Sequence, residues 1–236
     1  ERGDYADAAR HFGRQGLARS AIYPGYGLAE AVVGVSCDAL DAQRAQWRTA
    51  YLDADALREG RIVDVDPGLP EAVPVVACGE ALADTELAIV EPASRAWLGS
   101  GRIGEVWVAG PQVALGYWRR EADSEDTFQA EPVGRPGLRM LRTGDLGFLR
   151  DGQLYITGRR KDLIIVRGRN HYPQDLELDA ERSHPRIRPG AAIAFAVDEA
   201  DAEQVVIVAE IETRQLGDAE DKNAACADIA EAIRRQ

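Results

Sequence analysis

Leu141-Arg142-Thr143-Gly144-Asp145-Leu146-Gly147, then Gly158-Arg159-Arg160-Lys161-Asp162-Leu163-Ile164-Ile165-Val166, then Arg167-Gly168-Arg169-Asn170-His171-Tyr172-Pro173-Gln174-Asp175-Leu176-Glu177: the rest of the chain is organised around these segments. Asp145, between Gly144 and Leu146, reads as part of a turn that aims its carboxylate outward. Two acceptor oxygens suit a vicinal diol, such as the hydroxyls of a ribose. Asp151-Gly152 is a strong hairpin signal between Gly147-Phe148-Leu149 and Gln153-Leu154-Tyr155-Ile156. The second strand delivers Gly158-Arg159, whose guanidinium is a fixed fork of donors for phosphate or ribose oxygens. The basic cluster ending at Lys161 leads into an apolar, buried-looking run at 163–166.

In this order and at this spacing, the three segments resemble the adenylate-forming superfamily, and within it the fatty acyl-AMP ligases of lipid and polyketide biosynthesis. Acyl-CoA ligases and amino-acid-activating domains share the Thr-Gly-Asp and Gly-Arg-x-Lys-Asp patterns. The Asn170-His171-Tyr172-Pro173 run is the more specific mark. Further upstream, Tyr26-Gly27-Leu28-Ala29-Glu30 is similar to the superfamily's Tyr-Gly-x-[Thr/Ala]-Glu element. Read alone, that segment is equally a strand, a turn and a helix with a capping Glu.

The resemblance implies a role for each matching residue. Tyr26 lies against adenine, with Gly27, Leu28 and Ala29 as its nucleotide-binding neighbours, and Glu30 helps hold Mg2+. Aromatic faces stack on purines, Gly admits close backbone approach, and carboxylates are hard ligands for Mg2+. Ala29 stands where many relatives carry a phosphate-contacting Thr, so that hydrogen bond is not expected. Asp145 is implied on the ribose, Arg159 on ribose or phosphate, and Lys161 at a hinge. The implied reaction joins ATP and a fatty acid as an acyl-adenylate, then passes the acyl group to an acyl carrier protein or polyketide synthase. Two other classes fit the shared motifs: an acyl-CoA ligase or amino-acid adenylation domain, and a non-catalytic module that binds an adenylate or docks a partner.

Composition narrows the partners. The 236 residues carry a formal net charge of -12, which argues against nucleic acid. No apolar run reaches transmembrane length. Cys37, Cys78 and Cys226 are scattered, as are His11, His171 and His184. That spacing suits reduced thiols in the cytoplasm and gives no zinc site.

The expected fold is α+β: the end of a large adenylation domain with a small antiparallel β-barrel over 1–160, then a small, mobile α+β C-terminal domain over 161–236. Strands are expected at 20–23, 73–79, 85–90, 104–110, 115–118 and across the Asp151-Gly152 hairpin, with helices at 4–15 and 121–128. Residues 38–65 read as polar and irregular apart from a short helix from 53 stopped by Gly60. Residues 37–72 match the place where the fatty acyl branch carries an insertion. The second domain should hold a strand at 163–166, a helix from Pro173, strands at 191–197 and 205–211, and a helix at 218–235 with Cys226, Ile229 and Ile233 on its buried side. Trp107, Trp118 and Phe128 read as core aromatics. The chain opens without an initiator Met and stops on a helix, so it reads as a piece of a larger enzyme. That enzyme's glycine-rich phosphate loop and terminal catalytic lysine are expected upstream and downstream of it.

Overall fold

The computed structural model describes residues 2–38, 47–99, 101–166, 169–199, 202–213 and 219–234. The chain divides into two compact units, Glu1–Arg160 and Lys161–Gln236.

In the first unit, helix α1 (Arg2–Gly13) is followed by a single 3-10 turn at Arg19–Ala21 where a strand was expected. Strands β1 (Gly25–Tyr26) and β2 (Ser36–Cys37) pair across the loop that holds the Tyr-Gly motif. The supposedly irregular segment proves to be structured. Strand β3 (Thr49–Asp53) runs into helix α2 (Ala54–Arg58) and pairs with β4 (Ala72–Val76). Asp53 caps α2 by accepting from the Ala56 backbone N–H at 2.7 Å, and Gly60 takes the left-handed conformation that ends it. Too short to show periodicity clearly, β3 still alternates, turning Ala50 and Leu52 inward. They join Leu57, Val75, Phe148 and Tyr155 in one cluster. Residues 39–46 of the expected insertion lie outside the described residues.

After the short β5 (Glu80–Ala81), strands β6 (Glu86–Val90), β7 (Gly104–Ala109), β8 (Leu141–Arg150) and β9 (Gln153–Arg159) form an antiparallel sheet in the order β6-β7-β8-β9. The expected barrel is not formed: among the described strands this sheet has two ends and does not close. β7 is buried on both faces. Val106 and Val108 pack with Ile89, Phe128 and Leu141 on one side, while Trp107 packs with Val90 and Met140 on the other. The Asp151-Gly152 turn has positive φ at both residues, the geometry that matches strand twist.

Helix α3 (Glu121–Phe128) falls as expected, but 115–118 is not a strand. The Tyr117 backbone N–H is taken by Ser124 Oγ at 2.8 Å, and a Cβ on Gly116 would meet the Ser124 side chain. The backbone is therefore held against α3, and Trp118 is 85% exposed rather than in the core.

The second unit contains the hairpin β10 (Ile164–Val166) and β11 (Arg169–His171), helix α4 (Pro173–Ser183), the long hairpin β12 (Ile187–Glu199) and β13 (Ala202–Ile211), and helix α5 (Ala219–Arg234). Between the expected strand and helix, Arg169 to His171 pairs back on β10; Arg167 and Gly168 lie outside the described residues, as do Asp218 and Arg235. Pro173 opens α4, where its missing N–H costs nothing. On α5 Ile229 is buried but Cys226 is exposed, so the buried stripe is narrower than its apolar spacing suggested.

Because Leu52 is fully buried against Phe148 and Tyr155, Leu52→Ala should destabilise the first unit by about 2–5 kcal/mol. Urea unfolding measures this; a loss near zero would mean that the 49–76 hairpin is mere decoration.

Candidate functional site

The register between β7 and β8 sets up the site. Glu105 pairs with Leu146 and Trp107 with Arg142, so Thr143, Gly144 and Asp145 stand opposite the single Val106. The bulge passes through Gly144 at φ 74°, a conformation that favours glycine. Asp145 was read as an outward-facing turn residue. It lies instead within a strand and is 5% exposed. The bulge, not a turn, sets its direction.

Asp145 is also the cross-strand partner of Arg159. The Arg159 Nε–H donates to Asp145 Oδ1 at 2.8 Å, and the Tyr26 hydroxyl donates to Oδ2 at 2.6 Å. Residues far apart in sequence thus meet at one carboxylate. An ionised carboxylate accepts at roughly four positions, so two remain after these bonds. That capacity fits a vicinal diol. Arg159 is half-exposed beside it.

The rest of the Tyr-Gly segment splits. The Tyr26 and Leu28 side chains pack on the sheet's core cluster. Gly27 and Ala29 are exposed. The close approach that requires Gly27 comes from the chain itself: a Cβ there would overlap the Val33 carbonyl. Glu30 is half-buried. Its Oε1 accepts from the Tyr117 hydroxyl at 2.8 Å, and its backbone carbonyl accepts from the Ala114 N–H at 2.8 Å. Among the described residues nothing hydrogen-bonds Glu30 Oε2, so one oxygen suits a hard cation. Lys161 lies exposed in the 3-10 turn Arg160–Asp162, where the second unit begins.

Two supporting residues carried no role in the sequence reading, Tyr117 and Glu105. Tyr117 was hidden in a stretch expected to be a strand. Glu105 left a signal: a charged residue in an otherwise apolar strand, where burial demands partners.

Fold and motifs together resemble those of the adenylate-forming class. Residues 5–118 match the model of the family described as "AMP-binding enzyme". A medium-chain-fatty-acid–[acyl-carrier-protein] ligase, JamA, from Moorena producens is 43% identical over 220 residues, covering 92% of this chain and 36% of that protein. A long-chain-fatty-acid–AMP ligase, FadD32, from Mycolicibacterium smegmatis is 40% identical over 196 residues, covering 79% of this chain and 31% of its own length. Among solved structures, one from a study of fatty acyl-adenylate ligases of E. coli and L. pneumophila superposes with a TM-score of 0.80 at 30% identity, over 100% of this chain and 39% of that one. Over residues 5–118 the chain is similar to the AMP-binding enzyme family, and its relatives JamA and FadD32 are ligases that act on fatty acids. It spans about a third of the length of the curated relatives it matches.

Burial, and then the hydrogen bond to Asp145, pushes the Tyr26 phenol well above its ordinary value of 10.0. Burial and the bond to Glu30 push Tyr117 up to about 12. The unfolded chain therefore loses these protons first as pH rises, and binds fewer of them than the folded chain. The stability these shifts supply is complete below 10.0 and is lost as pH climbs past it. Urea unfolding between about pH 9 and about pH 11 should show this decline, and a shallower one in Tyr26→Phe. An unchanged slope in the variant would place the hydroxyl in water.

Proposed function

We propose that the protein activates a fatty acid with ATP and passes the acyl group to an acyl carrier protein, such as the carrier of a polyketide synthase. The observation that carries this reading is the Asp145 carboxylate, buried between Tyr26 and Arg159 with acceptor capacity left over. Residues 1–160 supply part of the large adenylation domain, and 161–236 belong to the small mobile domain. Three free thiols fit work in the cytoplasm, and no helix among the described residues is long and apolar enough to cross a membrane.

Each residue has a part. The Tyr26 ring, fixed by its hydroxyl, offers a face to adenine, and Gly27, Leu28 and Ala29 shape the loop beside it. Asp145 accepts from the ribose hydroxyls, and Arg159 steadies ribose or phosphate oxygens. Glu30, oriented by Tyr117, holds Mg2+, which when bound neutralises phosphate charge. The fatty carboxylate attacks the α-phosphorus; its oxygen–phosphorus bond forms as the bond to pyrophosphate breaks. A carrier thiol then takes the acyl group and AMP leaves. Lys161 is the hinge about which the small domain turns between the two steps.

Asp145→Ala removes two hydrogen bonds to a charged acceptor, each worth about 1.5–3 kcal/mol. A non-hydrolysable ATP analogue should bind at least about tenfold more weakly, as read by calorimetric titration of the folded protein. Unchanged affinity would make Asp145 a purely structural residue.

The acceptor is the finer question. Residues 37–72 are proposed as the insertion that restrains the small domain and disfavours free coenzyme A; a bias of a few kcal/mol between two arrangements suffices. Deleting the segment is a poor test, because Leu52 and Leu57 belong to the core. The informative measurement offers a carrier protein bearing phosphopantetheine and free coenzyme A in parallel, and acylated carrier should dominate. Efficient acyl-CoA formation would instead mark an acyl-CoA ligase.

A further inference from the structure

The bulge that aims Asp145 frees three backbone groups from the ladder between β7 and β8, and side chains take all three. The Thr143 hydroxyl donates to the Val106 carbonyl at 2.7 Å and accepts from the Asp145 N–H at 3.0 Å. The Gly144 N–H donates to Glu105 Oε1 at 3.2 Å.

Glu105 is itself almost fully buried. Its other oxygen, Oε2, accepts from Trp107 Nε1 at 3.0 Å and from Arg142 Nη2 and Nε at 3.1 and 3.2 Å. Arg142 lies over the Trp107 ring and reaches Asp126 on α3 at 3.1 Å. A buried ion pair is weak evidence for stability, since apolar residues of similar volume often serve as well. What an apolar residue here could not do is receive the Gly144 N–H. The carboxylate is braced on one side by Trp107 and Arg142 and grips the bulge with the other.

We propose that Glu105 is the positioning residue for the ribose-binding carboxylate: through Gly144, with Thr143 completing the clamp, it fixes the direction in which Asp145 leaves the strand. This rests on the reading of Asp145 as the ribose acceptor. Gly144 immediately precedes Asp145, and its left-handed φ is what turns the next residue toward Tyr26 and Arg159. A site built on loosely held backbone loses precision by fractions of an ångström, and binding of a small diol is sensitive at that scale.

The test compares AMP with a nucleotide lacking both ribose hydroxyls, titrated against the unaltered protein and against Glu105→Gln. A carboxamide keeps one acceptor but meets donors on both sides, so one grip is broken while shape is kept. The variant should lose about tenfold in affinity for AMP and keep its affinity for the deoxygenated nucleotide. Equal losses for both nucleotides, or a lowered melting temperature with preference intact, would overturn the proposal. Should Glu105→Gln fail to fold, Thr143→Val removes two of the clamp's bonds without changing shape; it should show the same selective loss and Thr143→Ser should restore the preference. A Thr143→Val protein that discriminates normally would also overturn it. If the unaltered protein shows no preference for AMP, the ribose reading of Asp145 fails, and the inference fails with it; a preference that survives Glu105→Gln defeats the inference alone.

Discussion

A carboxylate withdrawn from water needs donors, and Asp145 draws its two from opposite ends of the first unit. Tyr26 comes from the end of β1, more than a hundred residues upstream, the pair being separated by 119 positions. Arg159 comes from the end of the adjoining strand. Losing either donor would leave a buried charge under-satisfied, a larger penalty than the bond itself is worth. The carboxylate therefore ties the Tyr-Gly loop to the hairpin and makes one site from three segments.

That arrangement depends on β7. It is buried on both faces, and its pairing with β8 is broken by the bulge at Thr143, Gly144 and Asp145. Regular pairing would have sent Asp145 in a direction fixed by alternation. Three residues opposite one break that rule at Asp145, and strand bulges commonly re-aim a side chain in this way. The hairpin β3–β4 braces the same sheet from another side, through Leu52, Phe148 and Tyr155.

The second unit follows simpler physics. Pro173 starts α4, and α4 packs against β12. Ala192 and Ala194 are buried on β12, whereas Ile193 and Phe195 stand exposed on its other face, the alternation expected of a sheet covered on one side.

Local chemistry was legible in the sequence. Asp151-Gly152 specified its turn because both residues tolerate positive φ, Pro173 marked a helix start, and the apolar runs at 86–90 and 104–109 were unmistakable strands. The residue types around Asp145, Arg159 and Tyr26 likewise carried the resemblance to a family's nucleotide-binding motifs. The sequence could not reveal that the sheet stays open, that 115–118 leaves strand geometry because Ser124 takes the Tyr117 N–H, or that Asp145 turns inward. Those outcomes rest on pairing register and on partners distant in the chain. A one-residue shift in register reverses the face on which every side chain lies, and local propensity carries no information about such a shift.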